Sequence, residues 1–456
     1  MFLAPNSSSL VGGLAAAVPG ELRGLEELSR RWGRLKWEQL FRPAIKYAEG
    51  GFTVNMDLDA AGNTTAYPFL LRDGAWRRDW APGGKRVGVG EVMYRKRYAR
   101  TLRAIAKGGA DVFYKGAMAR RTVREVRRRG GILTVRDLEG YRVKHRRVNT
   151  AHYRGYKLSA GSAPSSGAVV LSALKIFEGW NGTGDRGLET HRLVEGIKFA
   201  YGQRTQLGDP DFVDGLEKFQ RQMVSEEVAA GVRTQIRDDA VLPNISYYNP
   251  EGMASPTPKG GTSHIATLDA EGMAVSLTST INTFFGSQVM TPSDGIIMNN
   301  QMDDFSTPGS SNFFGFLPTP NNYIRPFKRP LSSVSTVIVE TPDGQVYFVI
   351  GAAGGSRIIT ATVQNVWRVL EKGLDARAAL SSPRLHDQLW PNLTSFEVGY
   401  DSAVVADMAR RGHNVTFVPA RPGIASAQGV MRCADGTLQA VGEPRQWGSG
   451  GFVCAA

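Results

Sequence analysis

Two runs of alternating apolar and polar residues, one from Ile265 and one from Met273 to Asn282, meet at the turn Asp269-Ala-Glu-Gly272. This pattern dictates two antiparallel strands in the middle of the chain. Just upstream, residues 243–261 carry the Pro, Gly and Ser content of an exposed connector with no apolar period. Thr262 therefore sits behind a Gly260-Gly261 step, at the end of a loose segment and the start of a strand. Taken alone, such a threonine is a β-former and nothing more. If the bond before it were cut, the new terminus would pair a hydroxyl nucleophile with its own base, the free α-amine.

A second hairpin is expected from Val334–Thr341 and Gln345–Ile350 around Pro342-Asp-Gly344. Its later strand runs into Gly351-Ala-Ala-Gly354-Gly355-Ser356, and a helix follows with Val363, Val366 and Val369 inward and a stop at Gly373. A strand, a glycine turn and a helix N-terminus aim free backbone N–H groups at one point. The Gly-Lys-Ser/Thr of a phosphate loop is absent, so the segment suits oxyanion donation better. Residues 305–330 form a long loop rich in Pro, Asn and aromatics, of the kind that covers sites. Upstream, helices are expected at Glu21–Arg31, at Ala117–Arg129 with Ala117, Val123 and Val126 inward, and at His191–Leu207. A Ser/Gly turn leads into a buried helix over residues 161–178.

At 456 residues and 42% hydrophobic content, the chain can bury a large core as two domains or one large α/β unit. The net charge of +13 is concentrated between Arg95 and Arg147, where the simplest reading is a solvated basic face. No zinc-finger spacing, aromatic RNA-binding strand or heptad accompanies it, so no nucleic-acid partner is expected. Attraction to an acidic membrane surface or cell wall stays open. Cys433 and Cys454 are too few for a disulfide framework or metal site, although they could form one bridge. Sequons at Asn6, Asn63, Asn181, Asn244, Asn392 and Asn414 point to the secretory pathway. The chain carries no signal peptide or long apolar run, so an export signal is expected upstream of Met1, with a cytosolic protein as the alternative.

Taken together, these motifs resemble the γ-glutamyltransferase (glutathione hydrolase) family of N-terminal-nucleophile enzymes, with the lid closer to eukaryotic members. The resemblance rests on the order of AVPGELRG, GGILTVRDLEGY, the Ser165-Ser166-Gly167 turn and HRLVEGIKFAYGQRTQLGDPDFV. It continues through GTSH, TSTINTFFGS, GIIMNNQMDDFS, RPLSS, GAAGGSRIITA and SPRLHDQ. It implies an α/β four-layer αββα sandwich, made as a proenzyme that cuts itself into residues 1–261 and 262–456. It implies glutathione or other γ-glutamyl compounds as donors, amino acids or dipeptides as acceptors, and no metal or organic cofactor. An extracellular, plasma-membrane or vacuolar location would follow.

Carried over by position, Thr262 would be the nucleophile and Thr280 the hydroxyl that supports it. Asn282, Gln301 and Asp304 would hold the substrate α-ammonium, which calls for a carboxylate among neutral acceptors. Ser332 and Ser333 would bind the α-carboxylate, and Gly354 and Gly355 would donate to the oxyanion. Read singly, Asp303-Asp304 is a solvated turn, Ser332-Ser333 a strand start and Gly354-Gly355 a tight turn. His264 lacks a carboxylate partner and is expected to be structural. Lys259-Gly260 departs from the residues common before the cut in eukaryotic relatives. The chain also begins inside the family's span, so a core strand and helix and the arginine that pairs with the α-carboxylate are expected to be missing. The alternatives are an impaired, non-enzymatic remnant or a glutaryl-type acylase.

Overall fold

The computed structural model describes residue 2 and residues 8–250, 261–310, 312–313 and 318–454. Lys259, Gly260, the Asn6 sequon, most of the upstream connector and part of the expected lid lie outside the described residues. The chain divides into two compact units, Met1–His145 with Ile281–Asp303, and Arg146–Thr280 with Asp304–Ala456. Each unit draws on both sides of position 261, so the expected subunit boundary is not a boundary between folding units.

The second unit is built on a six-stranded antiparallel sheet. Its strands are β1 (Asn149–Tyr153), β2 (Tyr156–Ala160), β5 (Val337–Glu340), β6 (Val346–Ala353), β7 (Ser426–Arg432) and β8 (Leu438–Val441), in the order β8-β7-β6-β5-β2-β1. The intervening β3 (Thr262–Leu268) and β4 (Ala274–Thr280) form a separate two-stranded sheet in which Thr262 pairs with Thr280. From Phe348 to Ala353, β6 is buried at every position. The reason is coverage on both faces: β3 and β4 pack on one, and helix α3 (Arg357–Lys372) packs on the other. Gly351 permits the close approach, because a Cβ there would sit 2.3 Å from the His264 ring. The result is the helix–sheet–sheet part of the αββα sandwich.

Helices α1 (Gly167–Glu178) and α2 (Arg186–Arg204) complete the core, with Leu171, Leu174, Leu193 and Ile197 essentially inaccessible. α2 begins one turn earlier than the apolar pattern indicates. The Asp185 carboxylate caps it, accepting from the Gly187 and Leu188 N–H groups. Residues 334–336 stay outside the second hairpin, whereas β6 runs on to Ala353 and delivers the chain directly to Gly354. Helix α3 ends as expected at Gly373, which adopts φ 64°.

The first unit is largely helical, with helices at Glu21–Trp32, Trp37–Gly50, Lys96–Gly108 and Gly116–Arg128. Its aromatic cluster joins Phe69, Trp76, Trp80 and Phe285. Helix Gly116–Arg128 corrects the expected inward set. Met118, Ala119, Thr122, Val123 and Val126 form the buried stripe and Ala117 faces solvent, because the helical period puts 119, 122–123 and 126 on one face and 117 on the opposite one. The basic excess is also less solvated than expected. Arg121 makes a two-pronged bond to Asp294 at 2.6 and 2.9 Å, Arg97 pairs with Asp79 at 2.9 Å, and Glu125 holds Arg128 and Arg129.

Candidate active site

The register of β3 and β4 brings two hydroxyls together. Thr262 Oγ1 lies 2.9 Å from Thr280 Oγ1, and the Thr280 hydroxyl donates to the Gly261 carbonyl at 3.2 Å. Either hydroxyl can donate across the shorter contact, and when Thr280 gives its proton to the carbonyl it accepts from Thr262. One hydroxyl thus polarises the carbonyl before Thr262 and draws on the Thr262 proton. Next along β3, His264 is buried, with Nδ1 2.9 Å from Thr278 Oγ1. Burial lowers its pKa to about 4, so the ring is neutral at ordinary pH. Among the described residues it has no hydrogen bond or ion pair with a carboxylate, in keeping with the structural role expected.

Ser276 Oγ donates to the Ile350 carbonyl at 3.1 Å, one step further from Thr262 than the contact between His264 and Gly351. The Thr262 end of the hairpin therefore points along β6 toward Gly354 and Gly355. Both glycines are left-handed, at φ 137° and 64°. A Cβ on Gly354 would come within 3.2 Å of Ala425. The chain then enters α3, whose first N–H groups face this turn.

Ser332 and Ser333 are clamped by the Ser165-Ser166-Gly167 turn. Ser332 N–H donates to the Pro164 carbonyl at 2.7 Å, Ser166 N–H to the Val334 carbonyl at 2.8 Å, and Ser166 Oγ to the Ser332 carbonyl at 2.6 Å. The Arg204 guanidinium, at the end of α2, donates to Ser333 Oγ at 3.3 Å and to Ser166 Oγ at 3.1 Å. Burial pulls the Arg204 pKa down to about 10, while Tyr201 and the Asp304 carboxylate act the other way and the group stays charged. Asp304 and Arg204 line one small cavity of about 30 Å³, room for a water molecule rather than a substrate. Asn322 fixes the Asp304 backbone by donating to its carbonyl at 2.8 Å, and accepts from Leu331 N–H at 3.0 Å. Neither member of Asp303-Asp304 is a solvated turn residue, since both are buried.

Asn282 and Gln301 belong to the first unit. Asn282 is buried and left-handed at φ 74°, and donates to the Asn300 carbonyl at 3.2 Å. Gln301 N–H donates to Asn299 Oδ1 at 3.0 Å, so one Asn-Asn step holds both residues. Within the second unit the structure thus joins Thr262 to Thr280 and Ser333 to Arg204, and aligns the hairpin with Gly354-Gly355. Arg204, Tyr201 and Asn322 were not singled out from sequence. A signal existed for the first two: Ile197, Tyr201 and Arg204 continue one helical stripe, and a cation ending an apolar stripe has to have a purpose. Cys433 and Cys454 are both free, so the possible bridge is not formed.

Residues 1–453 match the family model described as gamma-glutamyltranspeptidase. The chain is 48% identical over 459 residues to the glutathione hydrolase proenzyme of Arthroderma benhamiae, covering 99% of this chain and 78% of the relative. It is 42% identical to the glutathione hydrolase of Aspergillus flavus, covering 97% of this chain and 75% of that one. Among solved structures, the cephalosporin acylase of Bacillus halodurans superposes with a TM-score of 0.81 at 27% identity, covering 96% of this chain and 78% of the acylase. These likenesses agree with the α/β N-terminal-nucleophile sandwich that the resemblance implies.

Proposed function

Because the chain belongs to the γ-glutamyltranspeptidase family, we propose that it is a self-processing γ-glutamyltransferase and glutathione hydrolase, cut before Thr262, with Thr262 as its nucleophile. The observation that carries the residue assignment is the hydrogen-bonded run from Thr262 Oγ1 through Thr280 Oγ1 to the Gly261 carbonyl. Thr262 Oγ attacks the Gly261 carbonyl and the peptide C–N bond breaks, leaving an ester and a free Thr262 amine; water then hydrolyses the ester, releasing the Gly261 carboxylate and the Thr262 hydroxyl.

In turnover that amine takes the hydroxyl proton as Thr262 Oγ attacks the γ-carbonyl of glutathione. Gly354 and Gly355 N–H groups stabilise the oxyanion. The cysteinylglycine amine leaves with the proton, and the threonine ester passes its γ-glutamyl group to water or to an amino-acid or dipeptide acceptor. Asn282, Gln301 and Asp304 would receive the α-ammonium, and Ser332 and Ser333 the α-carboxylate. The family's named relatives and the buried Asp304 favour this reading over a glutaryl-type acylase, whose substrate lacks an ammonium. Among the described residues no group of His, Cys, Asp and Glu is placed to hold a metal ion.

The test is expression of the wild type and Thr262→Ala, followed on a denaturing gel and by N-terminal sequencing. The wild type should yield two fragments, the smaller beginning at Thr262 and turning over γ-glutamyl anilide in preference to glutaryl anilide. Thr262→Ala should remain one chain. A cut elsewhere, or a variant that still splits, sinks the nucleophile assignment, and a preference for the glutaryl substrate sinks the donor assignment.

The protein is also proposed to pass through the secretory pathway toward an extracellular, plasma-membrane or vacuolar site. Its support is that Asn63, Asn181, Asn244, Asn392 and Asn414, all the sequon asparagines among the described residues, are exposed. Protein from its native source should shift to lower mass on endoglycosidase treatment, and no shift would count against export.

A further inference from the structure

The serine pair proposed to bind the α-carboxylate has a cation behind it. Arg204 is almost wholly buried and ends α2 with its guanidinium directed at two hydroxyls, those of Ser333 and Ser166. A guanidinium can only donate, so Ser333 Oγ is an acceptor in that bond and its own proton is left for another partner. Ser166 behaves in the same way: its oxygen accepts from Arg204 Nε, and its proton goes to the Ser332 carbonyl. One buried cation thus sets the direction of the Ser333 hydroxyl and, through Ser166, the placement of Ser332.

Asp304 lines the same cavity, and after Tyr201 its charge favours the protonated guanidinium against the effect of burial. Three residues earlier on α2, the Tyr201 hydroxyl donates to the Ser356 carbonyl at 2.7 Å, at the foot of the Gly354-Gly355 turn. The last turn of α2 therefore braces both the expected carboxylate donors and the expected oxyanion donors. Burying a charge this completely is costly unless its field is used or neutralised. Hydroxyls polarised by a charged donor bind anions more strongly than ordinary ones.

We infer that Arg204 is a positioning residue that relays positive charge through Ser333 to the α-carboxylate of the γ-glutamyl donor, and through Ser166 holds Ser332 in place, selecting donors that carry that carboxylate. The inference rests on the proposed γ-glutamyl activity. It gives the chain its own source of positive charge at the carboxylate end of the substrate.

The experiment compares processed wild type, Arg204→Lys, Arg204→Gln, Ser333→Ala and the Arg204→Lys/Ser333→Ala double variant. Two substrates are used, L-γ-glutamyl anilide and its α-carboxamide. Arg204→Gln should raise KM for the carboxylate substrate about tenfold with little change in kcat, and alter the carboxamide by less than about twofold. Arg204→Lys should fall between, and should add little once Ser333 is already alanine. Equal losses on both substrates, or full additivity in the double variant, would overturn the relay. If Arg204→Gln does not fold by thermal melt, the lysine variant and the cycle decide.

A wild type that turns over neither anilide defeats the activity reading instead. Calorimetric binding of L-glutamate against isoglutamine then decides the relay. A selective weakening of glutamate in Arg204→Lys by about tenfold supports it. An unselective loss, or no glutamate binding by the wild type, overturns it.

Discussion

Thr280 contributes a single oxygen that stands 2.9 Å from one hydroxyl and 3.2 Å from one carbonyl, and its effect should be measurable on its own. Thr280→Val keeps the β-branched shape and removes only that oxygen. It should slow self-cleavage by about a hundredfold or more, as loss of one preorganised donor typically does, and leave the fold intact. A time course of precursor disappearance, with circular dichroism as the folding control, checks this. Cleavage at the wild-type rate would mean that the Gly261 carbonyl is activated by another group. A neutral His264 cannot replace Thr280 as a charged donor, since burial keeps its proton affinity low.

At the scale of elements, the turn between β6 and α3 is the least tolerant segment. Gly354 stands at φ 137°, a conformation that costs a side-chain-bearing residue about 1–3 kcal/mol, and its missing Cβ is replaced by Ala425. Gly354→Ala should therefore shift the turn and lower kcat for γ-glutamyl anilide by about tenfold or more, with a smaller effect on KM. Unchanged kcat would remove this turn from the oxyanion assignment. The turn was legible in sequence because its glycines follow an apolar strand and precede an apolar helix. The β3–β4 hairpin was legible through its period of two. Less was visible where tertiary pairing decides: the α2 start depends on an aspartate cap rather than an apolar residue. In Gly116–Arg128 a small apolar residue, Ala117, lies on the side opposite 119, 122–123 and 126, and only packing decides which side is inward. Arg204 escaped notice because its partners, Ser166 and Ser333, lie far away in sequence, and no local pattern joins them.

For the whole molecule, acid should be a destabilising condition. His191, His264, His386 and His413 are all buried with pKa values lowered chiefly by burial, His264 to about 4 and His386 to about 3. The unfolded chain takes up these protons near the ordinary value of 6.5, before the folded one does. Stability from the neutral rings is therefore complete above about pH 6.5 and falls through the window down to about pH 4, by up to about 1.4 kcal/mol per pH unit for each histidine. Urea melts between pH 8 and 4 should show this loss, and His386→Gln should flatten it. A melt midpoint independent of pH across that window would show that these rings titrate no differently when unfolded.

The six-stranded sheet takes β1 and β2 from before position 261 and the other four strands from after it. The ladder between them pairs Lys157–Ala160 with Val337–Glu340. A cut before Thr262 would pass unnoticed by the folded molecule, whose halves stay laced together in the middle of one sheet. The change would come on unfolding. An uncut chain carries its missing half with it, whereas a cut one releases two polypeptides that must find each other again. Maturation would then turn refolding into a second-order encounter, with a recovery set by dilution as well as by sequence.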